Sequence, residues 1–362
     1  MNAKSCTRAI VLSPTYFDGR KNGIGRVAGA VSAALERAGM APIVWSANDP
    51  GTSAGAPDRA FGRNYYRMFL EAFLTRGEGV RAIACLHVGL APVARVLARR
   101  LRVPWFCWMH GIEVWKPLRA RTRWGLSGVP LLCSSSAFTR DRAAVVNPGL
   151  GLEKALPVPL GWLMSEPPDL PPGAPVRHGV ISVGRLDPED RYKGFDTLIA
   201  AWKQVTDALP GSRLTIVGHG NDRPRLEGLA REFGVGDGIE FAGLVETEEL
   251  KRRYFSAAVF AMPSENEGFG LVFAEAMAYG LPCVCGNRDA SPEVVADGIT
   301  GYCVQTRNPA AVAGALIALL GNPKKLAEFS DRARKSFLEN FDVGPVNERM
   351  DSLVATLLAQ RL

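Results

Sequence analysis

The 362-residue chain lacks most of what would mark a secreted, metal-caged or membrane-spanning protein. Its seven cysteines are an odd number and include no Cys-x-x-Cys pair, so their spacing encodes neither a disulfide framework nor a zinc cage. A reducing cytoplasm is the expected compartment, with Cys283 and Cys285 as buried strand residues. No apolar run reaches the roughly 18 residues needed to cross a bilayer. Only a short apolar stretch lies between Arg8 and Ser13-Pro14, too little for the core of a signal peptide. No Asp-x-Asp element suggests a metal bridging two phosphates, and no metal site is expected. No recognised nucleic-acid motif accompanies the positive charge, so nucleic acid is not an expected partner.

What is present describes a soluble two-domain protein. The length exceeds one ordinary core, and 47% hydrophobic with 22% charged residues is a globular composition. The net charge of +7 is uneven: residues 1–170 hold 22 Lys and Arg against 11 Asp and Glu, and the remainder 21 against 25. Arginines crowd Arg59 to Arg81 and Arg95 to Arg123, interleaved with Tyr65, Tyr66, Phe69, Phe73, Trp105, Trp108, Trp115 and Trp124. A basic surface with exposed aromatics can rest on anionic lipid or attract a phosphate-bearing acceptor. A solvated basic surface over core aromatics is the competing reading.

Strand-like and helical runs alternate throughout. Arg8 to Ser13, Ala41 to Trp45, Ile83 to Val88, Pro104 to Trp108 and Leu131 to Ser134 read as strands, with a helix from Gly25 to Ala38. The alternation restarts with strands at Gly179 to Val183, Arg213 to Val217, Ile239 to Phe241, Val259 to Met262 and Pro282 to Cys285. Helices read from Thr197 to Leu209, Arg223 to Phe233, Leu271 to Ala278, Ala310 to Leu320 and Lys324 to Phe337. The expected fold class is therefore α/β, with two Rossmann-like domains facing each other across a cleft. The proline-rich stretch from Pro157 to Pro175 marks the linker. The boundaries expected are 1–165, 166–340, and a C-terminal segment 341–362 that returns to the first domain. Ligands of such sheets bind beyond the carboxyl ends of the strands.

The most informative segment runs from Pro263 to Gly280. Gly268 and Gly270 let the backbone approach a ligand, and the helix opening at Leu271 aims its positive dipole end at the same place. Glu267 sits in the loop and Glu275 one turn into the helix, so the two carboxylates address different parts of one ligand and do not form a metal pair. Val183-Gly184-Arg185 ends a strand with a cation, and Arg191-Tyr192-Lys193-Gly194 opens the next helix with others. Fixed cations favour a departing diphosphate, whose negative charge grows in the transition state.

Glu267 and Glu275 resemble the Glu-x7-Glu motif of retaining glycosyltransferases of family four, which have the B-type fold. Residues 178 to 305 carry the likeness, and the Arg-Tyr-Lys-Gly form is similar to polysaccharide mannosyltransferases. The resemblance implies that Glu267, with Gly268, Phe269, Gly270 and Leu271 around it, contacts the donor sugar and phosphates, and that Glu275 holds the ribose. It assigns the diphosphate to Arg185 and to Lys193, with Arg191 the alternative to Lys193. It places Gly218 beside the nucleotide and Leu244 and Val245 beside the base. In the first domain it sets His110, of His110-Gly-Ile-Glu113, beside the transferred sugar, with Glu113 a local cap. The loop before Gly23 and Gly25 would face the donor phosphates and the acceptor, with Asp18 and Arg20 as candidate acceptor contacts. Gly23, Gly25 and Ala28 also match a dinucleotide fingerprint, but the long stretch after the first strand argues against it.

The function expected is transfer of mannose or glucose from GDP-mannose or UDP-glucose to a glycan or lipid-pyrophosphate-linked acceptor in cell-surface polysaccharide synthesis. The enzyme would be retaining and metal-independent, with no cofactor besides the donor, and peripheral at the inner face of the membrane. The alternatives are a nucleotide-sugar epimerase on the same fold and a non-catalytic nucleotide-sugar binder.

Overall fold

The computed structural model describes residues 7–15, 23–49, 57–161, 168 and 179–360. The chain divides into two compact units, Met1–Ser165 with Val343–Leu362, and Glu166–Asp342. Most of the proline-rich stretch, and the loop carrying Asp18 and Arg20, lie outside the described residues.

In the first unit the chain runs β1 (Arg8–Ser13), α1 (Gly23–Arg37), β2 (Ala41–Ser46), β3 (Arg59–Ala60), α2 (Tyr65–Leu74), β4 (Val80–Cys85), α3 (Ala91–Leu101), β5 (Trp105–Met109), α4 (Ala120–Leu126), β6 (Leu131–Ser134), α5 (Ala137–Val146) and β7 (Leu156–Pro157). The strands pair in parallel in the order β3-β2-β1-β4-β5-β6-β7. Helices cover both faces of such a sheet, so its central strands are near-continuous apolar runs; all five residues of β5 are buried. Local chemistry fixes the helix starts: Asn64 Oδ1 accepts the Arg67 N–H at α2, and Ser136 Oγ that of Thr139 at α5. The chain's last helix, Val343–Leu358, belongs to this unit and packs on α1, where the Arg37 guanidinium donates to Asp351 at 2.7 and 3.0 Å.

The second unit runs β8 (Val180–Val183), α6 (Phe195–Ala208), β9 (Leu214–Val217), α7 (Arg223–Glu232), β10 (Ile239–Gly243), α8 (Thr247–Ser256), β11 (Val259–Met262), α9 (Leu271–Ala278), β12 (Cys283–Gly286), β13 (Gly301–Val304), α10 (Pro309–Leu320) and α11 (Pro323–Asn340), which makes the final helix α12. Its parallel sheet is ordered β10-β9-β8-β11-β12-β13. The fold is thus α/β with two parallel-sheet domains. Each sheet reverses its direction of growth once, between β1 and β4 in the first unit and between β8 and β11 in the second, and such reversals open a crevice at the carboxyl strand ends.

Two sequence expectations change. Trp105, Trp108 and Trp115 are buried core, not surface aromatics, so the interleaving with arginine reflects strand and loop burial. Among the described residues of the first unit, α2 and Trp124 carry the aromatic exposure: Tyr66 is 80% exposed, and Leu70, Phe73 and Leu74 are exposed beside it. Helices α2 to α5 and α8, unread in the sequence, supply the missing crossovers. Among the described residues no helix is long and apolar enough to cross a membrane.

Candidate active site

The strand reversal of the second unit gathers the carboxylates and cations expected to act. Glu267 lies in the loop after β11, and Lys193 ends a 3-10 turn over Pro188–Lys193 that follows β8. The Lys193 ammonium donates to Glu267 Oε1 at 2.7 Å, with the two side chains only 13% and 16% exposed. Burial alone would lower the Lys193 pKa, but the Glu267 carboxylate, Tyr192 and Asp190 together outweigh it and hold the ammonium above its ordinary value. A charge pair this sheltered is strong in the low local dielectric, and costly to break by removing one partner.

The backbone around Glu267 is held by a residue that the motif reading did not single out. Asp289, buried after β12, accepts the Glu267 N–H at 2.9 Å, the Ser264 hydroxyl at 2.7 Å and the Ser291 N–H at 2.9 Å. Burial raises the Asp289 pKa, and these donors oppose the rise. The Glu267 carbonyl in turn accepts from Ala290 N–H. Asp289 is therefore a positioning residue. Its only sequence signal is a carboxylate just past a strand end on the same sheet edge, since its partners lie 22 and 25 residues away.

Gly270 opens α9 at φ +89°, where a Cβ would stand 2.6 Å from the Phe273 ring. No side chain caps that helix start, so its first N–H groups point out for a ligand. Glu275 is half-buried one turn into α9, as are Gly268 and Leu271 nearer its start. Phe269 does otherwise: its ring is buried and packs edge-on against Phe341 at 6.1 Å, leaving only its backbone to face a ligand.

Arg185 carries an exposed guanidinium, 71% accessible, tethered at 3.0 Å to buried Asp190. Arg191 points elsewhere: it forks onto Asp222 at 2.9 and 3.2 Å, beside Arg225 on the same carboxylate. Of the two alternatives, Lys193 is the one that reaches Glu267. Gly218 serves packing, because its N–H donates to the Gly243 carbonyl and a Cβ at its φ of +150° would stand 1.8 Å from Gly184 O. Leu244, after β10, is 85% exposed and Val245 half-buried.

In the first unit Gly23 and Gly25 form the first turn of α1. His110 follows β5, half-buried. Its Nε2 lies 2.8 Å from the Leu86 carbonyl, which can only accept, so Nε2 carries the proton. Its Nδ1 then accepts from Ser135 Oγ at 3.3 Å, and Ser135 in turn accepts from Trp108 Nε1. Burial lowers the His110 pKa against the pull of Glu113. Both ring nitrogens already have protein partners, so the ring reaches a sugar hydroxyl only by giving one up. Glu113 caps the loop by accepting the N–H groups of His110 and Gly111.

A half-buried Lys-Glu pair, an exposed arginine and an uncapped helix start at one strand reversal suit a phosphate-bearing ligand with hydroxyls to recognise. Residues 177–336 match the family model of the group 1 glycosyl transferases. The chain is 32% identical over 285 residues, 74% of its own length and 73% of the relative's, to a GDP-mannose-dependent alpha-(1-6)-phosphatidylinositol monomannoside mannosyltransferase of Mycolicibacterium smegmatis. The chain belongs to the group 1 glycosyltransferases. This glycosyltransferase is also 33% identical over 205 residues, 54% of its length and 43% of the relative's, to a D-inositol 3-phosphate glycosyltransferase of Streptomyces avermitilis. The B-type fold is shared with sucrose-phosphate synthase from Thermosynechococcus elongatus, at TM-score 0.72 and 21% identity, covering 97% of this chain and 99% of that one.

Proposed function

We propose that this glycosyltransferase moves a hexose, with retention and without a metal, from a nucleoside diphosphate sugar bound by the second unit to an acceptor bound by the first. The observation that carries the reading is the Lys193–Glu267 pair beside the uncapped start of α9. Glu267 accepts from hexose hydroxyls while Lys193 and Arg185 hold the diphosphate. Charge gathers on that diphosphate as the glycosidic bond breaks, so the two cations stabilise the transition state more than the ground state. The leaving phosphate then takes the acceptor's proton on the same face of the sugar, which preserves the anomeric configuration. Glu275 holds the ribose, and Leu244 and Val245 border the base.

The donor we favour is GDP-mannose over UDP-glucose, because the M. smegmatis relative is named for GDP-mannose. The acceptor is a glycan or lipid-linked saccharide carrying phosphate: one relative is named for a phosphatidylinositol mannoside and another for D-inositol 3-phosphate. A lipid acceptor would be met at an anionic membrane face, and the exposed α2 stripe of Tyr66, Leu70, Phe73 and Leu74, with Arg63 and Arg67 exposed beside it, supports that. Diphosphate release from GDP-mannose and UDP-glucose, with and without EDTA, tests the reading. Release that needs added metal would remove the metal-independent part, and release from neither donor would remove the donor assignment.

A further inference from the structure

A cavity of about 430 Å³ lies within the first unit at its own strand reversal. Pro14, Asn48 and His87 line it from just beyond β1, β2 and β4, the three strands that meet there, and Tyr65, Arg119 and Arg121 close it from α2 and the start of α4. Among the described residues its wall contains no carboxylate. Two other cavities, both in the second unit, each include acids beside their arginines: Glu240 and Glu249 in one, Asp196 and Glu265 in the other.

The polar groups of the first-unit cavity are turned to donate. His87 Nδ1 accepts the Gly89 N–H at 3.0 Å, which leaves the ring proton on Nε2. The Tyr65 hydroxyl donates to Asn48 Oδ1 at 3.2 Å, which occupies the acceptor of that amide and leaves its N–H groups. Arg119 and Arg121 have no carboxylate partner among the described residues; Arg121 only overlies the Phe69 ring, at 5.9 Å. Two arginines, an imidazole N–H and an amide N–H₂, none of them paired to a carboxylate among the described residues, form a receptor for an anion, and the arginine fork matches phosphate oxygens.

We propose that this cavity binds a phosphoryl group of the acceptor, as a free monoester or as the diester of a lipid headgroup. The inference rests on the acceptor reading above and adds the residues that would grip it. The test uses the full chain and its Arg119→Gln/Arg121→Gln variant. D-inositol 3-phosphate in solution is titrated by calorimetry, phosphatidylinositol is presented in phosphatidylcholine vesicles, phosphatidylserine vesicles of equal charge serve as control, and GDP affinity is measured separately.

The expected result is at least tenfold weaker binding by the variant with GDP affinity unchanged. A loss seen with the soluble ester identifies a free monoester, and a loss confined to phosphatidylinositol vesicles identifies a headgroup. Arg121→Lys, which keeps the charge but not the fork, should bind more weakly than wild type and more tightly than the double variant. Unchanged affinity in the double variant, a wild type that binds neither phosphate probe, or an equal loss on phosphatidylserine vesicles would overturn the proposal. Failure of the wild type to bind GDP would instead count against the donor reading alone.

Discussion

Where the second sheet reverses, between β8 and β11, four described cations each have a carboxylate within reach: Lys193 on Glu267, Arg185 on Asp190, Arg191 and Arg225 on Asp222. Where the first sheet reverses, between β1 and β4, Arg119 and Arg121 have none among the described residues. The same architecture is therefore furnished in two ways. A cation that must stabilise charge developing on a leaving group benefits from being fixed beforehand, and a buried counter-charge fixes it. A cation that only holds an anionic group can wait unpaired in solvent, where its desolvation cost is small and its affinity depends on salt.

The largest expected effect breaks the paired side of this comparison. Lys193→Ala should lower kcat for hexose transfer by about 10²- to 10³-fold, the loss seen when one preorganised donor is removed. It should also lower the melting temperature, because Glu267 is left sheltered without its partner. A variant with near wild-type kcat would show that the pair is structural only. Next comes Asp289→Ala, which frees the Glu267 backbone. We expect kcat to fall about 100-fold from misplacement, with GDP affinity nearly unchanged and Asp289→Asn intermediate. A fall in GDP affinity matching the fall in kcat would mean that Asp289 supports the whole nucleotide site, not Glu267.

How much of this was legible in the sequence divides along the same line. Arg185, Lys193, Glu267 and Glu275 sit in loops and first turns directly after strands, so local spacing places them without knowledge of the fold. Asp289 was not singled out because two of its three partners, Glu267 and Ser264, are joined to it by tertiary structure. Gly218 reads as a ligand contact, but glycine at a strand end equally answers the approach of Gly184 O. Phe269 lies inside the motif, yet its ring belongs to the core. In the first unit the arginine-aromatic mixture does not separate exposed α2 from buried β5, because apolar residues occupy both faces of α2: Met68 and Ala72 point inward, Tyr66, Leu70 and Phe73 outward.

Smaller effects sharpen the unpaired side. Tyr66→Ser with Phe73→Ser should weaken association with anionic vesicles by roughly tenfold, about what burying part of two large apolar side chains contributes. The melting temperature should fall only slightly, since Tyr66 is exposed and Phe73 gives up little beyond its edge contact with the Phe69 ring at 5.3 Å. Raising salt should weaken what remains, and salt-independent binding would point away from the arginines.

The smallest effect concerns stability alone. Hydrogen bonds from Arg225, and then Arg191, pull the Asp222 carboxyl down to about 2. A depressed acid stabilises the fold above its unfolded pKa of roughly 3.9 and loses that contribution as pH falls through its folded value. Asp222→Asn should thus lower the urea midpoint at pH 7, and the gap from wild type should shrink as pH falls from about 4 toward 2. A gap that stays constant over that window would show that Asp222 acts by shape and not by charge.

The central claim, that Lys193 and Arg185 serve a departing diphosphate, is tested most directly by single-turnover release of GDP from GDP-mannose in EDTA, comparing wild type with Lys193→Ala and Arg185→Ala. The wild type should release GDP without metal. In each variant the rate should fall while the affinity for intact donor falls much less. Equal losses of rate and donor affinity, or release that appears only when a divalent cation is added, would contradict that claim.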